Sequence, residues 1–295
     1  MPEVKLTDKS GATITALDID NGYIIPTFKA LENHEQHVLS MPTWNAENDD
    51  ILICAYPKSG THWLWEVTCM LLKGKAERIK RVKEDVMIEG MTKDRYEKEP
   101  VPRVFNTHIL FKYLPEDFRK KRCKILYVLR NPKDVAVSYY NHHSKIREYE
   151  YDGKWEPYLD RYIEGNVDYG SWFDYTVDWE RVMKEDPEYP VHMMYYEDMK
   201  ENGMREIQRL AKFLEVDRDE KFIREVDELC QFDRMKKDKD KIENADEWKN
   251  GQPGMYRKGQ VGDWKNWFTV SQSEKFDVIY DEKMKNSNVK IRFTI

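Results

Sequence analysis

The sequence predicts an α/β fold, a single domain with a central parallel β-sheet flanked by helices, and three observations predict it. Four short apolar runs, at Ile51 to Tyr56, Arg103 to Phe105 with its neighbours, Lys124 to Leu129 and Val191 to Tyr196, each read as a buried strand. Helical periodicity separates them, and alternating strand and helix implies a parallel sheet covered on both faces. No Pro-, Gly- or Ser-rich linker or repeat divides the 295 residues, so residues 1–295 are read as one domain.

Composition narrows the function. Hydrophobic residues are 40% and charged residues 35%, as in an ordered globular chain. The formal net charge of −6 disfavours nucleic acid and anionic membrane surfaces as partners. An anionic ligand stays open, because a few clustered cations act locally whatever the distant surface carries. The N-terminus has no apolar signal region, and no later run reaches the roughly 20 apolar residues of a membrane span. The four cysteines, Cys54, Cys69, Cys123 and Cys230, show no C-x-x-C spacing and read as reduced thiols, which points to the cytoplasm.

In chain order, the first run leads through Tyr56-Pro57-Lys58-Ser59-Gly60-Thr61 into an amphipathic helix with Trp63, Leu64, Val67, Met70 and Leu71 on one stripe, closed by Lys73 and Gly74. Backbone N–H groups at that helix start, small Ser59 and Gly60, and the Lys58 ammonium suit a phosphate ester. The lysine precedes the glycine, so the loop is not a Walker A sequence; a tight turn with a solvated lysine is the plainer alternative. The second run ends in Asn106-Thr107-His108. The third ends in Arg130, after which Asn131 caps a helix that Pro132 begins. Ser138 lies within the next two turns, near enough to share a second anion with the Arg130 fork; a capped helix with a surface arginine is the alternative. The fourth run ends in Tyr196-Glu197-Asp198. Residues 242–265 hold four glycines and one proline without apolar periodicity and read as a mobile covering loop. Within it, Arg257-Lys258-Gly259 adds two cations and a glycine. In such sheets ligands gather beyond the carboxyl ends of the strands, where the residues that follow the four runs lie; the basic doublet taken alone reads as a solvated face.

The strings Y-P-K-S-G-T-x-W, R-N-P-K-D-x-x-x-S and R-K-G-x-x-G-D-W-K-N-x-F-T, with Tyr195-Tyr196-Glu197-Asp198-Met199-Lys200 between them, resemble the cytosolic sulfotransferase family in order, spacing and position. The resemblance implies 3′-phosphoadenosine 5′-phosphosulfate (PAPS) as donor, the nucleotide PAP as product, and no metal. It assigns the 5′-phosphosulfate to Lys58, Ser59, Gly60, Thr61 and His62. The 3′-phosphate falls to Arg130, Ser138, Arg257, Lys258 and Gly259, and the adenine to Trp63, Tyr196 and Phe232, beside Cys230. His108 becomes the general base and Lys58 the cation at the leaving oxygen, with Asn106 and Ser138 completing the catalytic set. Lys265, Thr269, Val270 and Glu274 resemble a short dimerisation motif, which implies a homodimer.

The chain departs from the family at three places. Asn106 stands where a lysine is usual, removing a cation from the reacting centre; His62 replaces Thr or Asn, and Cys230 replaces Thr. The loss at Asn106 motivates an alternative, a PAPS- or PAP-binding regulatory protein with little turnover. A phosphoryl transferase would need a Walker glycine-lysine order that is missing. The acceptor is read as a small alcohol, phenol, sterol or amine. Tyr139, Tyr140, Tyr149, Tyr151, Trp155, Tyr169, Trp172 and Phe173 crowd after the third run and are candidates to line its pocket, ordinary packing being the alternative. The His34-x-x-His37 pair, near Glu32 and Glu35, reads as a surface feature and not a metal site.

Overall fold

The computed structural model describes residues 3–20, 22–28, 31 and 33–295. Two sheets form. The N-terminal one is antiparallel, with β1 (Glu3–Thr7), β2 (Thr13–Asp20) and β3 (Tyr23–Ile25). The sequence reading did not anticipate it, because the segment mixes charges and its strands are stabilised from outside. Ile24 accepts a backbone bond from Tyr169, Asp8 accepts from the Tyr151 hydroxyl and Thr15 donates to Glu150.

The central sheet is parallel, as expected, in the order β5-β4-β6-β7, with β4 (Ile51–Cys54), β5 (Val104–Thr107), β6 (Lys124–Leu129) and β7 (Val191–Tyr195). Every residue of β4 and β5 is buried, which explains the continuous apolar runs. Boundaries shift slightly from the sequence reading. Ala55 and Tyr56 leave the first strand as a buried turn, and Tyr196 begins the helix Tyr196–Glu201.

Register matters for function. Cys54 lies opposite Thr107 on one side and Tyr127 on the other, and Leu129 lies opposite Tyr195. The carboxyl ends therefore finish close together on one rim. At the opposite rim, Arg103 grips Asp50 with Nε–Oδ1 at 2.7 Å and a second bond to Oδ2 at 2.5 Å, both residues almost fully buried. These residues immediately precede β5 and β4, so the forked pair pins the two strands in phase.

Helices flank the sheet. Helix Thr61–Lys73 packs on β4 and β5, and Trp65 donates its indole N–H to the Val104 carbonyl at 3.3 Å. It stops at Gly74, whose φ of 66° and N–H to Met70 make the expected left-handed cap. Trp179, in helix Trp172–Glu185, stacks on Tyr127 of β6 with centroids 5.0 Å apart. Asn131 caps helix Pro132–Lys145 by accepting from Asp134 N at 2.8 Å. Residues 242–265 carry only two short 3₁₀ turns, Ala245–Glu247 and Asp263–Asn266. This stretch is tied down at Lys249, whose N–H donates to Lys145, and at buried Trp248. No helix among the described residues is long and apolar enough to cross a membrane.

Asp50→Ala leaves the Arg103 guanidinium buried without a counter-charge and is expected to cost about 3–5 kcal/mol in urea unfolding. The double change Asp50→Leu with Arg103→Met is expected to lose much less. An equal loss in both variants would show that the ion pair does not set the register.

Candidate active site

Beyond the carboxyl ends of the four central strands lies a cavity of about 960 Å³, walled by the loops after β4, β5, β6 and β7 and by residues of the 242–259 segment. Its cations come from separate parts of the chain, which is what a ligand with two anionic groups requires.

The turn after β4 supplies the first. Lys58 adopts a φ of 67° and Gly60 a φ of 111°, so the chain folds back before the helix begins at Thr61. A Cβ on Gly60 would stand 2.8 Å from the Tyr196 ring, which is why glycine is needed there. Ser59 Oγ is buried with no protein partner among the described residues, an orphaned hydroxyl at a helix start. Among the described residues, the Lys58 ammonium is bonded only to the Met255 sulfur at 3.0 Å and His142 Nδ1 at 3.4 Å. Burial, with the neighbouring Lys83 charge, lowers the Lys58 pKa to about 8. A cation so placed, with soft and neutral contacts only, is set to receive an anion.

The second group lies further along the rim. Arg130 lies over the Tyr196 ring at 4.2 Å, donates to the carbonyls of Lys58 and Gln260, and keeps a buried Nε without a partner. Ser138, Trp63, Cys230 and Phe232 also line the cavity. Arg257 and Lys258 both pair with Asp263 at 2.6 Å, so internal charge occupies them. Burial pushes the Asp263 carboxyl up, yet bonds from Lys258, Asn266 and Arg257 outweigh it and hold the pKa at about 2. Gly259, with φ at 62°, meets the Phe232 ring so closely that a side chain would overlap it.

His108 sits just past β5. Its Nδ1 lies 2.7 Å from the Ala55 carbonyl, which can only accept, so the proton of the neutral ring is on Nδ1 and Nε2 keeps its lone pair. Burial, then the charge of Lys83, lowers its pKa to about 3, so the imidazole is neutral at ordinary pH. Glu89 anchors this stretch, accepting from the His108 backbone N–H at 2.8 Å, Thr107 Oγ1 at 2.7 Å and the Tyr169 hydroxyl at 3.3 Å. Burial raises the Glu89 pKa.

Some sequence-selected residues stand elsewhere. Asn106 does not line the cavity; its side-chain amide turns to the lysine beside it and exchanges bonds with Lys83. His62 does line the cavity, where it pairs with Glu84 at 3.0 Å, and burial lowers its pKa to about 4. Of the aromatic cluster, Tyr139, Tyr149 and Tyr169 line the cavity. Tyr140 and Trp155 pack on Trp267, and Trp172 and Phe173 on Tyr280, because their helices turn those faces to the core; Tyr151 is buried on Asp8. His34 and His37 are half-buried and not on the open surface, each bonded to backbone at Phe28 and Ile88; Glu32 lies outside the described residues. Sequence reasoning missed Lys83, Glu84, Glu89, His142 and Asp263. Glu89 alone carried a signal, as a lone acid between Met87-Ile88 and Gly90-Met91.

Comparison with known proteins adds an independent line. The Sulfotransferase domain family matches residues 48–288. Sulfotransferase 1B1 of Canis lupus familiaris is 38% identical over 295 residues, spanning 95% of this chain and 96% of its own length. Sulfotransferase 1 family member D1 of Mus musculus is 37% identical, spanning 92% and 94%. Mouse sulfotransferase SULT7A1, solved in complex with PAP, superposes with a TM-score of 0.75 at 30% identity over 92% of this chain and 95% of that one. Retinol dehydratase, solved with androsterone and PAP, shares the fold at a TM-score of 0.76 and 15% identity, over 98% and 92%.

Gly60→Ala is expected to lower stability by about 1–3 kcal/mol, from the left-handed backbone and the Tyr196 overlap together. Thermal unfolding checks it, and an unchanged midpoint would show that the turn relaxes freely.

Proposed function

The chain belongs to the sulfotransferase family, and on that premise we propose that it transfers a sulfonate group from PAPS to a hydroxyl or amine of a small acceptor held in the cavity. The observation that carries the reading is the placement of a base and a cation in one cavity: His108 with Nε2 unprotonated, and Lys58 without a carboxylate partner. The residues fit the donor. Two groups of cations, the orphaned Ser59 Oγ, Arg130 Nε and Arg257 Nε, and two glycine positions that exclude side chains are suited to a nucleotide with two separated anionic ends. No group of His, Cys, Asp and Glu among the described residues is arranged to hold a metal ion.

When bound, PAPS would supply a sulfonate group whose sulfur bonds to the acceptor oxygen or nitrogen as its bond to the 5′-phosphate oxygen breaks. His108 Nε2 takes the proton of the acceptor, and the Ala55 carbonyl orients the ring by holding Nδ1–H. Lys58, with Ser59, Gly60, Thr61 and His62 around it, opposes charge on the 5′ side. Arg130, Ser138, Arg257, Lys258 and Gly259 hold the second phosphate, for which the first two arginines offer forked donors. Asp263 keeps Arg257 and Lys258 in place until that anion arrives. Trp63, Tyr196, Cys230 and Phe232 flank the base. Pro26, Phe28, Tyr149 and Tyr169 give the acceptor an apolar wall.

The protein is proposed to act in the cytoplasm, with its four cysteines free, as a homodimer through Lys265, Thr269, Val270 and Glu274. These four residues are exposed around the start of helix Val270–Met284, with Val270 76% exposed. Replacing Val270 with Glu is expected to convert a dimer to a monomer in sedimentation; a monomeric parent protein refutes the proposal.

Transfer from radiolabelled PAPS to a panel of phenols, alcohols, sterols and amines tests the activity. His108→Ala is expected to lose about a hundredfold to ten-thousandfold in rate while binding PAP as before. Tight PAP binding with no transfer to any acceptor would favour the regulatory alternative that Asn106 raises.

Affinity for PAP is also expected to depend on alkaline pH. Lys58 is an ammonium below about pH 8 and loses its charge above it, so the dissociation constant rises through pH 8 to 9. Calorimetry with Lys58→Met beside the parent reads this; the same alkaline loss in both proteins would assign it to another group.

A further inference from the structure

Asn106 removes a cation from β5, yet the cavity wall at that place is not neutral. The segment from Lys83 to Glu89 runs along β5, the edge strand of the central sheet, and Ile88 N–H donates to the Asn106 carbonyl at 3.0 Å. This edge contact carries Lys83 to Asn106. Lys83 Nζ donates to Asn106 Oδ1 at 3.1 Å, and Asn106 Nδ2 returns a bond to the Lys83 carbonyl at 2.7 Å. Lys83 is 3% exposed and lines the cavity, whereas Asn106 does not.

We propose that Lys83, held by Asn106, is the cation that contacts the sulfonate group during transfer, a role the sequence places on no residue of its own strand. The proposal rests on the sulfotransferase reading and assigns one further residue to it.

A buried ammonium is costly unless its charge is answered. Asn106 accepts one of the three protons of Lys83, Glu84 Oε1 lies 3.3 Å away as an ion pair, and no other described residue accepts a bond from the ammonium. The same Glu84 Oε1 also lies 3.0 Å from His62, a ring that burial keeps neutral, so one carboxylate stands beside the two ammoniums of Lys83 and Lys58. Lys58 and Lys83 therefore add positive charge to one cavity that holds a neutral histidine. A neutral alcohol gives no reason to bury that second ammonium; an anionic group passing between Lys58 and His108 does. The electrostatics agree. After burial, Lys83 is the strongest influence on His108 and on Lys58, with Glu84 acting in the opposite sense on both and the Ala55 carbonyl bonding the imidazole.

PAPS carries the sulfonate and PAP does not, so the pair separates this role from a structural one. Calorimetry without acceptor is expected to show Lys83→Met weakening PAPS roughly tenfold to a hundredfold while PAP binding is unchanged. Transfer at saturating acceptor is expected to fall about a hundredfold. Adding Asn106→Lys to Lys83→Met returns an ammonium to the same spot and is expected to recover most of the PAPS affinity. Should Lys83→Met not fold, Lys83→Gln reads the same ratio and keeps a hydrogen bond to Asn106. Equal weakening of both nucleotides, or no change in either, overturns the assignment and leaves the sulfotransferase reading in place. Parent protein that binds neither nucleotide overturns that reading and the assignment with it.

Discussion

Parallel pairing of β4 with β5 on one side and β6 on the other brings three carboxyl ends to one rim, β4 and β5 finishing in step and β6 running two residues further. Parallel hydrogen bonds hold strands in a common direction, so whatever follows each carboxyl end must emerge on one rim. Lys58, His108 and Arg130 are far apart in the chain and close in space for this reason alone. The Asp50–Arg103 fork at the other rim keeps β4 and β5 in step; a slip of one residue would turn their side chains to the opposite face. The Ala55–His108 bond links the same two strands where chemistry is read out, so the tautomer of the histidine depends on the register too.

A cavity of this kind concentrates positive charge in a protein whose net charge is −6. Distant acids are screened within about 10 Å in ordinary salt, so they do not neutralise it. Local groups do the offsetting. Asp263 answers Arg257 and Lys258, Glu84 answers Lys83, and ring faces and backbone carbonyls receive Arg130. Lys58 is the exception, in contact with a sulfur and an imidazole, and burial with the Lys83 charge lowers its pKa. The site is thus incomplete as an electrostatic object and is completed by an anion.

Much of this was legible in residues that are neighbours in the chain. The four central strands, the phosphate turn and the caps at Gly74 and Asn131 are contiguous signals, since strand, turn and helix each depend on a few successive residues. The N-terminal sheet was not legible, because its charge-mixed strands take their stability from Tyr151 and Tyr169, about 140 residues away in the chain. Tyr140, Trp155, Trp172 and Phe173 pointed to a pocket only by crowding, and packing turned them to the core instead.

The family resemblance named His108 and Lys58 as candidate base and leaving-group cation; what the sequence by itself determined is the parallel α/β architecture and turns suited to a phosphate ester. Local propensity and short motifs specify these without reference to the rest of the chain. Only the tertiary structure decided that Glu89 anchors the His108 strand end, that Asp263 holds the basic doublet, and that Lys83 stands where Asn106 removed a charge. Each of these is a contact between residues brought together by the edge of β5 or by the covering segment. A buried charge is positioned by the walls around it, and no window of neighbouring residues contains those walls.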